Sequence, residues 1–137
     1  MNLKWWDETI TLFNRYETLD ENNRVQTNWK RTVLYNCFYG VSTRKYLLNT
    51  DVIESEKTVV RIPKNCNYKP YDEFINLITN DDYFTLNVGD IIIRSEITNT
   101  LKLNESGNTL LNDYEGFEVK NATINDKLSN GHYKGTD

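Results

Sequence analysis

Residues 84–97 read FTLNVGDIIIRSEI, and this stretch decides the fold because it joins two apolar segments through a tight corner. The chain must turn at Val88-Gly89-Asp90, since glycine tolerates positive φ and an aspartate side chain can accept hydrogen bonds from nearby backbone. The three isoleucines that follow are β-branched and favour a pleated strand. The stretch therefore predicts a strand, a structural turn at Gly89 and Asp90, and a second strand.

Several other segments alternate polar and apolar residues with the period of two that is typical of β-strands. We predict six strands, over residues 9–13, 29–41, 58–62, 83–86, 91–97 and 117–124. The residues expected to be buried in them are Trp29, Val33, Tyr35, Val60, Ile62, Phe84, Leu86, Ile91 and Ile93. The predicted fold class is all-β, a barrel or sandwich of about six strands.

One short α-helix is predicted near residues 71–79, because Phe74, Leu77 and Ile78 lie at helical spacing just after a proline. A weaker helical or turn segment is expected over residues 106–114. The helical content is therefore small, and the helices are expected to be additions to a β-domain.

Residues 42–57, STRKYLLNTDVIESEK, are polar at both ends and irregular inside, so we expect a long loop there. A length of 137 residues suits one domain. We therefore divide the chain into an N-terminal arm at 1–8, a single β-barrel domain at 9–125 and a polar C-terminal tail at 126–137.

The charge balance argues against a nucleic-acid reader. The 16 lysines and arginines are spread singly among 20 acids, which gives a formal net charge of -4 and no basic patch. No apolar run approaches the roughly eighteen residues of a membrane-spanning helix, and the first residues lack the apolar core of a signal peptide. We expect a soluble protein that is made in a cytosol and has no membrane partner.

The chain offers few residues for catalysis or metal binding. His132 is the only histidine, and its polar surroundings, NGHYKG, predict a surface position. A metal site needs more ligands than one histidine. The acids Asp81, Asp82, Glu54 and Glu56 are predicted to be solvated charges, because a catalytic pair must be fixed across a cleft. We expect no enzyme activity, no cofactor and no metal.

Cys37 and Cys66 are the only cysteines, and both are expected to be reduced thiols in a cytosolic protein. Cys37 lies in an alternating segment and is predicted to be in the core. The sequence contains no Gly-rich phosphate loop, nucleophile elbow or Cys-His pairing. These observations leave nucleophilic catalysis without a candidate residue.

Two groups of bulky residues are candidates for an interface between subunits. Trp5 and Trp6 lie in the N-terminal arm, and Tyr46, Leu47 and Leu48 lie in the expected loop. Large aromatic and apolar side chains are favoured as anchors between chains. The alternative is that the tryptophans cap the end of the barrel and a leucine packs into the core. The sequence leaves both interpretations open.

Four features, taken in their order along the chain, resemble a known family. They are ITLFNRY at 10–16, Trp29 at the start of a strand, VRIP at 60–63 and FTLNVGDII at 84–92. Together they look like small prophage-encoded proteins from the head-tail joining region of Gram-positive phages. The layout over residues 9–124 is similar to that of the head-closure, or stopper, proteins of long-tailed phages.

This resemblance implies a role in the virion. Stopper proteins are small β-barrels that stack as a ring beneath the portal and adaptor and hold the packaged DNA until the tail docks. The resemblance therefore implies a homo-oligomeric ring, a hexamer or a dodecamer, assembled in the host cytoplasm and located at the head-tail junction. The implied partners are the adaptor or portal ring and the tail terminator, with packaged DNA only in non-specific proximity.

Three other functions fit parts of the sequence. A tail-completion protein, or tail terminator, would occupy the other side of the same joint. A carbohydrate-binding β-module would use Trp5, Trp6 or Trp29 as its platform. A small hydrolase is the weakest of the three, because it needs a histidine and a carboxylate together in a pocket.

Overall fold

The computed structural model describes residues 6–48, 51–79, 82–125 and 131–137, with backbone alone in the strands at 42–48 and 51–55. These residues form seven strands and two short helices. The elements are β1 (Glu8–Leu19), β2 (Val25–Leu48), β3 (Asp51–Pro63), α1 (Tyr71–Asn76), β4 (Ile91–Ile93), α2 (Asn108–Leu111), β5 (Gly116–Glu118), β6 (Asn121–Asn125) and β7 (His132–Thr136). The predicted all-β class with little helix is confirmed.

The strands form one antiparallel sheet in the order β5-β4-β1-β2-β3-β7-β6. The two outermost strands, β5 and β6, are consecutive in the chain and separated only by Val119 and Lys120. In a flat sheet the outermost of seven strands would lie about 29 Å apart, since neighbouring strands are spaced by about 4.8 Å. Three Cα steps from Glu118 to Asn121 reach at most about 11 Å. The sheet therefore curls into a half-barrel that brings its two ends together.

Asn36 marks a β-bulge in β2. Ile10 pairs with Leu34 but Glu8 pairs with Cys37, so β2 contains one extra residue over this interval. Asn36 has a φ of 58°, in the left-handed region that asparagine tolerates better than most residues. The extra residue shifts the alternation of side chains by one position, so that Leu34 before the bulge and Cys37 after it are both buried.

The bulge explains why one core prediction was wrong. Tyr35 was expected to be buried by strict alternation, but it lies beside the extra residue and is 59% exposed. Trp29 and Val33 are half-buried. The remaining predictions are confirmed, because these residues are buried: Val60, Ile62, Phe84, Leu86, Ile91 and Ile93.

Two hydrophobic clusters lie on opposite faces of the sheet. The first is enclosed by the curl and includes Ile10, Leu12, Val60, Phe84, Ile92 and Tyr133. The second lies on the other face, where residues 97–111, which include α2, cover Phe13, Ile91 and Ile93. Because β4 is covered on both faces, all three of its isoleucines are buried, as expected for a strand without a solvated side.

Four segment predictions require correction. The strand predicted over residues 91–97 is shorter, because β4 ends at Ile93. Residues 42–57 are not a long loop, because β2 continues to Leu48 and β3 begins at Asp51, and the two strands pair along this whole length. Residues 83–86 form only an isolated bridge, from Phe84 to Tyr68. Residues 117–124 form two strands, β5 and β6, which lie at opposite ends of the sheet order. The predicted helix is confirmed but is short, Tyr71–Asn76.

The loop prediction failed for a physical reason. Polar and apolar residues alternate only where one face of a strand is buried and the other is solvated. Residues 42–57 pair as two strands beyond the ends of the neighbouring strands, and their sequence does not alternate regularly. Strand pairing by backbone hydrogen bonds alone leaves little trace in the sequence.

The C-terminal segment is not a simple polar tail. His132–Thr136 forms β7, which pairs with β3 on one side and with β6 on the other. Four of its five residues are buried, including His132, which was predicted at the surface. Backbone hydrogen bonds to β3 and β6 hold this strand in place. The polar sequence HYKGT therefore did not indicate a strand.

Candidate interaction surface

The corner at Gly89 and Asp90 has the predicted conformation. Gly89 has a φ of +96°, a value that side chains with a Cβ rarely adopt. Asp90 Oδ2 accepts a hydrogen bond from the backbone N–H of Asn87 at 2.8 Å. The aspartate therefore braces the turn through nearby backbone, as the sequence predicted.

Asp90 also connects the corner to strand β1. Its Oδ1 accepts the backbone N–H of Arg15 at 2.8 Å, and its Oδ2 accepts Nδ2 of Asn14 at 2.9 Å. The same Asn14 Nδ2 donates to the carbonyl oxygen of Thr85 at 2.7 Å. Two segments separated by more than seventy residues in sequence are thus joined by buried polar contacts.

Burial raises the pKa of Asp90 to about 7, although the N–H donors from Arg15, Asn87 and Asn14 act in the opposite direction. A raised carboxyl pKa can mark a catalytic acid. Here the side chain is fully buried and both of its oxygens are occupied by donors from its own chain. Asp90 is therefore a structural group, without an open side for a substrate.

The most distinctive surface is a two-stranded ribbon, which we define as residues 42–48 of β2 and 51–57 of β3. Strand β2 pairs with β1 only up to Cys37, and β3 pairs with β7 only from Val59 onward. In the described part of the chain, the ribbon strands pair with nothing but each other. Seven residues of extended strand correspond to about 23 Å. The ribbon is therefore a narrow extension beyond the curled sheet.

The ribbon has an uneven distribution of residue types along its length. Near its end, Tyr46 pairs with Ile53 and Leu47 pairs with Val52, so apolar residues occupy consecutive register positions. Toward the sheet the register positions hold mainly charged and hydroxyl residues, from Ser42 to Lys45 and from Glu54 to Lys57. The apolar positions are thus the ones furthest from the core of their own chain.

An aromatic cluster fixes the place where the ribbon leaves the sheet. The ring centroid of Trp6 lies 6.5 Å from that of Phe38 and 5.5 Å from that of His132. The Trp6 and His132 rings meet edge to face. Cζ of Arg61 lies 4.8 Å from the centroid of the Phe38 ring, a cation–π distance. A Cβ on Gly40 would lie 2.7 Å from Cζ of Phe38, so glycine makes room for this ring. The cluster therefore packs Trp6 and His132 against Phe38 at the base of the ribbon.

The structure separates the residues that the sequence grouped as interface candidates. Trp6 is 7% exposed and packs in its own chain, which is the alternative that the sequence left open. Trp5 lies outside the described residues. Tyr46, Leu47 and Leu48 are brought together at the end of the β2 part of the ribbon, where their backbone is described and their side chains are not.

The described tryptophans do not form an exposed platform for a sugar. Trp6 is buried, and Trp29 is half-buried against the second cluster, with its Nε1 donating to the carbonyl oxygen of Glu105 at 2.9 Å. A cavity of about 370 Å³ adjoins Trp29 and is bordered by Arg15 and Glu118. The ring of Trp29 is therefore committed mainly to packing.

Among the side chains that the structure describes, the titratable groups outside the corner form no recognisable reactive site. Cys37 is buried and Cys66 is exposed, and both are free thiols; burial raises the pKa of Cys37 to about 12. Of the acids expected to be solvated, Asp82 and Glu56 are exposed, while Asp81 and the side chain of Glu54 lie outside what the structure describes. Within the residues that the structure places, no group of three or more His, Cys, Asp or Glu side chains could hold a metal ion. Neither helix there is long and apolar enough to cross a membrane.

Comparison with known proteins gives one result. A family model matches residues 5–135, which is nearly the whole chain. The chain belongs to DUF6751, a family of unknown function. The DUF6751 match includes both the ribbon and the Gly-Asp corner. No curated protein and no solved structure matches the chain.

Sequence reasoning missed two residues that shape this surface. Asn36 creates the bulge, and the only sign of it in the sequence is the unbroken apolar run Val33-Leu34-Tyr35, which interrupts strict alternation. His132 belongs to the aromatic cluster at the base of the ribbon, and no local pattern indicates this. Its position follows from the pairing of β7 with β3, a long-range contact.

Proposed function

We propose that this protein is a structural component of the phage head-tail connector, a stopper-like ring protein that joins the portal and adaptor to the tail and helps to retain packaged DNA. It acts in the virion, after assembly in the host cytoplasm, and without catalysis or a cofactor. The observation that most supports this proposal is the ribbon, because it extends from a compact domain and is suited to contact with another chain.

The physical argument rests on what a ribbon needs in order to be stable. An isolated two-stranded ribbon is only marginally stable in water, and a third strand or a packed surface is required for independent stability. In the described residues, no third strand of its own chain pairs with the ribbon. Its register places Tyr46 opposite Ile53 and Leu47 opposite Val52. Contact with neighbouring subunits would remove these apolar positions from water.

The proposed interface consists of Tyr46, Leu47 and Leu48, with Trp5 as a further candidate. Trp6 is not part of it, because Trp6 is buried in its own chain. Repeating one such contact around a rotation axis closes a ring, in which each subunit offers two different surfaces. The adaptor or portal ring and the tail terminator are the proposed partners above and below this ring.

Deletion of the gene from an inducible prophage tests the proposal. We expect heads without attached tails beside free tails of normal length, counted by electron microscopy, and recovery when the wild-type gene is supplied from a plasmid. Tails of irregular length would instead favour the alternative, a tail terminator. Normal yields of tailed, infectious particles from the deletion strain would contradict both neck roles.

A further inference from the structure

The two strands of the ribbon carry opposite charge. Residues 42–48 contain Arg44 and Lys45 and no acid, a formal charge of +2. Residues 51–57 contain Asp51, Glu54 and Glu56 against a single Lys57, and three acids less one base give -2. The ribbon therefore has a basic strand and an acidic strand, although the chain as a whole is only weakly acidic.

Each ribbon strand also has one edge that the described residues leave unpaired. One edge of residues 42–48 faces β3, while the pairing of β2 with β1 on the other side ends at Cys37. Likewise, residues 51–57 pair with β2 on one side, and the ladder of β3 with β7 begins only at Val59. An unpaired edge is a template for a further strand. The ribbon therefore presents two such templates of opposite charge.

We infer that ribbons of neighbouring copies pair edge to edge, with the basic β2 edge of one copy against the acidic β3 edge of the next. This inference rests on the proposed ring, and it names a second copy of the chain as the partner of the ribbon. Rotation about an axis along the ribbons keeps all β2 strands parallel to one another. Each new pairing of β2 with β3 is then antiparallel, like the pairing inside one ribbon.

Such pairing accounts both for the opposite charges of the two ribbon strands and for their unpaired edges. The interface is heterologous, because a β2 edge meets a β3 edge, and a heterologous contact that closes produces a ring. The product is an antiparallel barrel with two strands from each copy and no unpaired edge. We call each junction between the β2 edge of one copy and the β3 edge of the next a seam. Opposite charges across each seam favour this arrangement of subunits and disfavour the pairing of identical edges.

The alternative is that the charges only protect the edges from aggregation, since charged residues on edge strands commonly have this effect. Two variants separate the explanations. The acidic-β2 variant carries Arg44→Glu with Lys45→Glu, which gives both ribbon strands a charge of -2. The basic-β3 variant carries Glu54→Lys with Glu56→Lys, which gives both strands +2. Each variant alone would bring like charges together at every seam.

A mixture of the two variants restores complementarity between copies. In an alternating ring, each acidic β2 edge would meet a basic β3 edge, and each basic β2 edge would meet an acidic β3 edge. Lys45 pairs with Glu54 inside the ribbon, so each variant also acquires one like-charge pair within its own chain. The mixture keeps those pairs, so recovery in the mixture can come only from contact between copies.

The measurement is the mass distribution of the purified full-length proteins by sedimentation velocity, at low salt and at about 1 M salt, where the Debye length falls to about 3 Å. We expect a discrete oligomer for wild type at low salt, loss of it for each variant, and its return in the equimolar mixture. A wild type that stays monomeric, variants that assemble like wild type, or a mixture that stays monomeric would each overturn the inference.

A fourfold variant is the control for misfolding of the acidic-β2 and basic-β3 variants. It combines all four substitutions, so that positions 45 and 54 again carry opposite charges across the ribbon, with their signs exchanged. We expect it to assemble alone but to exclude labelled wild-type chains, because every mixed seam would join like charges. Free mixing with wild type would overturn the inference. This assay needs no phage particles, so its failure and the failure of the neck role are distinguishable.

Discussion

Asp90 Oδ2 accepts a hydrogen bond from Asn14 Nδ2 at 2.9 Å, and both side chains are fully buried. The contact fastens the Gly-Asp corner to strand β1 in the wall of the half-barrel. A buried carboxylate loses its hydration, and here the compensation comes from three N–H donors. The stability of the domain should therefore depend on the protonation state of this one group.

We expect the free energy of unfolding to fall as the pH rises toward 7. The folded-state pKa of Asp90, about 7, lies above its ordinary value of 3.8. Protonated Asp90 therefore contributes stability that is fully present below pH 3.8 and is lost as the pH rises through 7. The slope is at most about 1.4 kcal/mol per pH unit. Urea unfolding, followed by tryptophan fluorescence between about pH 4 and 8, measures this slope.

The control for this prediction is Asp90→Asn. An amide offers one acceptor oxygen and adds a donor. In either orientation its NH2 group would face an N–H donor, that of Arg15 or those of Asn14 and Asn87, so the variant should be less stable by about 1–3 kcal/mol. Because it does not titrate, the difference between wild type and the variant should shrink as the pH rises. A difference that grows with pH would mean that the N–H donors outweigh the burial of the charge.

Gly89→Val should destabilise the corner through its backbone conformation. The nearest atoms to an added Cβ, in Arg15, lie 3.6 Å away, which is an ordinary contact, so the strain comes from the φ of +96°. We expect a loss of at least about 1–2 kcal/mol in thermal or urea unfolding. Gly89→Asn is the matched control and should lose less, since asparagine tolerates positive φ. Equal stability of wild type and the valine variant would contradict the prediction.

Asn36→Val should likewise be destabilising, because a β-branched residue is disfavoured at the φ of 58° in the bulge. Asn36 is exposed, so little packing is lost and the change reports on the backbone. We expect a loss of about 1–2 kcal/mol in urea unfolding for valine and almost none for Asn36→Gly. If glycine and valine gave the same stability, the bulge would not depend on a left-handed residue.

Ile93→Ala should leave a cavity between β4 and the segment that covers it. Ile93 is fully buried in the second hydrophobic cluster, and large-to-small changes at such sites cost about 2–5 kcal/mol. Ile124→Ala is the control, because Ile124 is 51% exposed and should change stability by less than about 0.5 kcal/mol. Unfolding of both variants under one set of conditions makes the comparison. Similar losses at the two positions would contradict the placement of Ile93.

The sequence predicts the parts of this fold that depend on local chemistry. The isoleucines of β4, the positive φ of Gly89 and the bracing role of Asp90 follow from residue type and pattern alone. Strand β7 does not, because its polar residues are held by ladders to β3 and β6 that are distant in sequence. Tyr35 was misplaced because one extra residue in a strand reverses every side chain beyond it.

The candidate surface was predicted in part. The sequence singled out Tyr46, Leu47 and Leu48 because they are bulky and lie among charged residues. It described their surroundings as a loop, since residues 42–57 show no regular alternation of polar and apolar residues, whereas the structure places them in strands. The same reasoning grouped Trp6 with them, and the structure instead buries Trp6 against Phe38 and His132. Residue type identified candidates, and only the fold could separate them.

In the role that we propose, the end of the ribbon joins this protein to its neighbours in the phage neck. The most direct measurement counts tailed particles after complementation of the deletion strain with Leu47→Ser combined with Leu48→Ser. Val41→Ser is the matched control, because Val41 is apolar, 64% exposed and just outside the ribbon. We predict unchanged thermal unfolding for both proteins, normal particles for the control, and heads without attached tails for the double variant. Normal yields of infectious particles from the double variant would contradict this role.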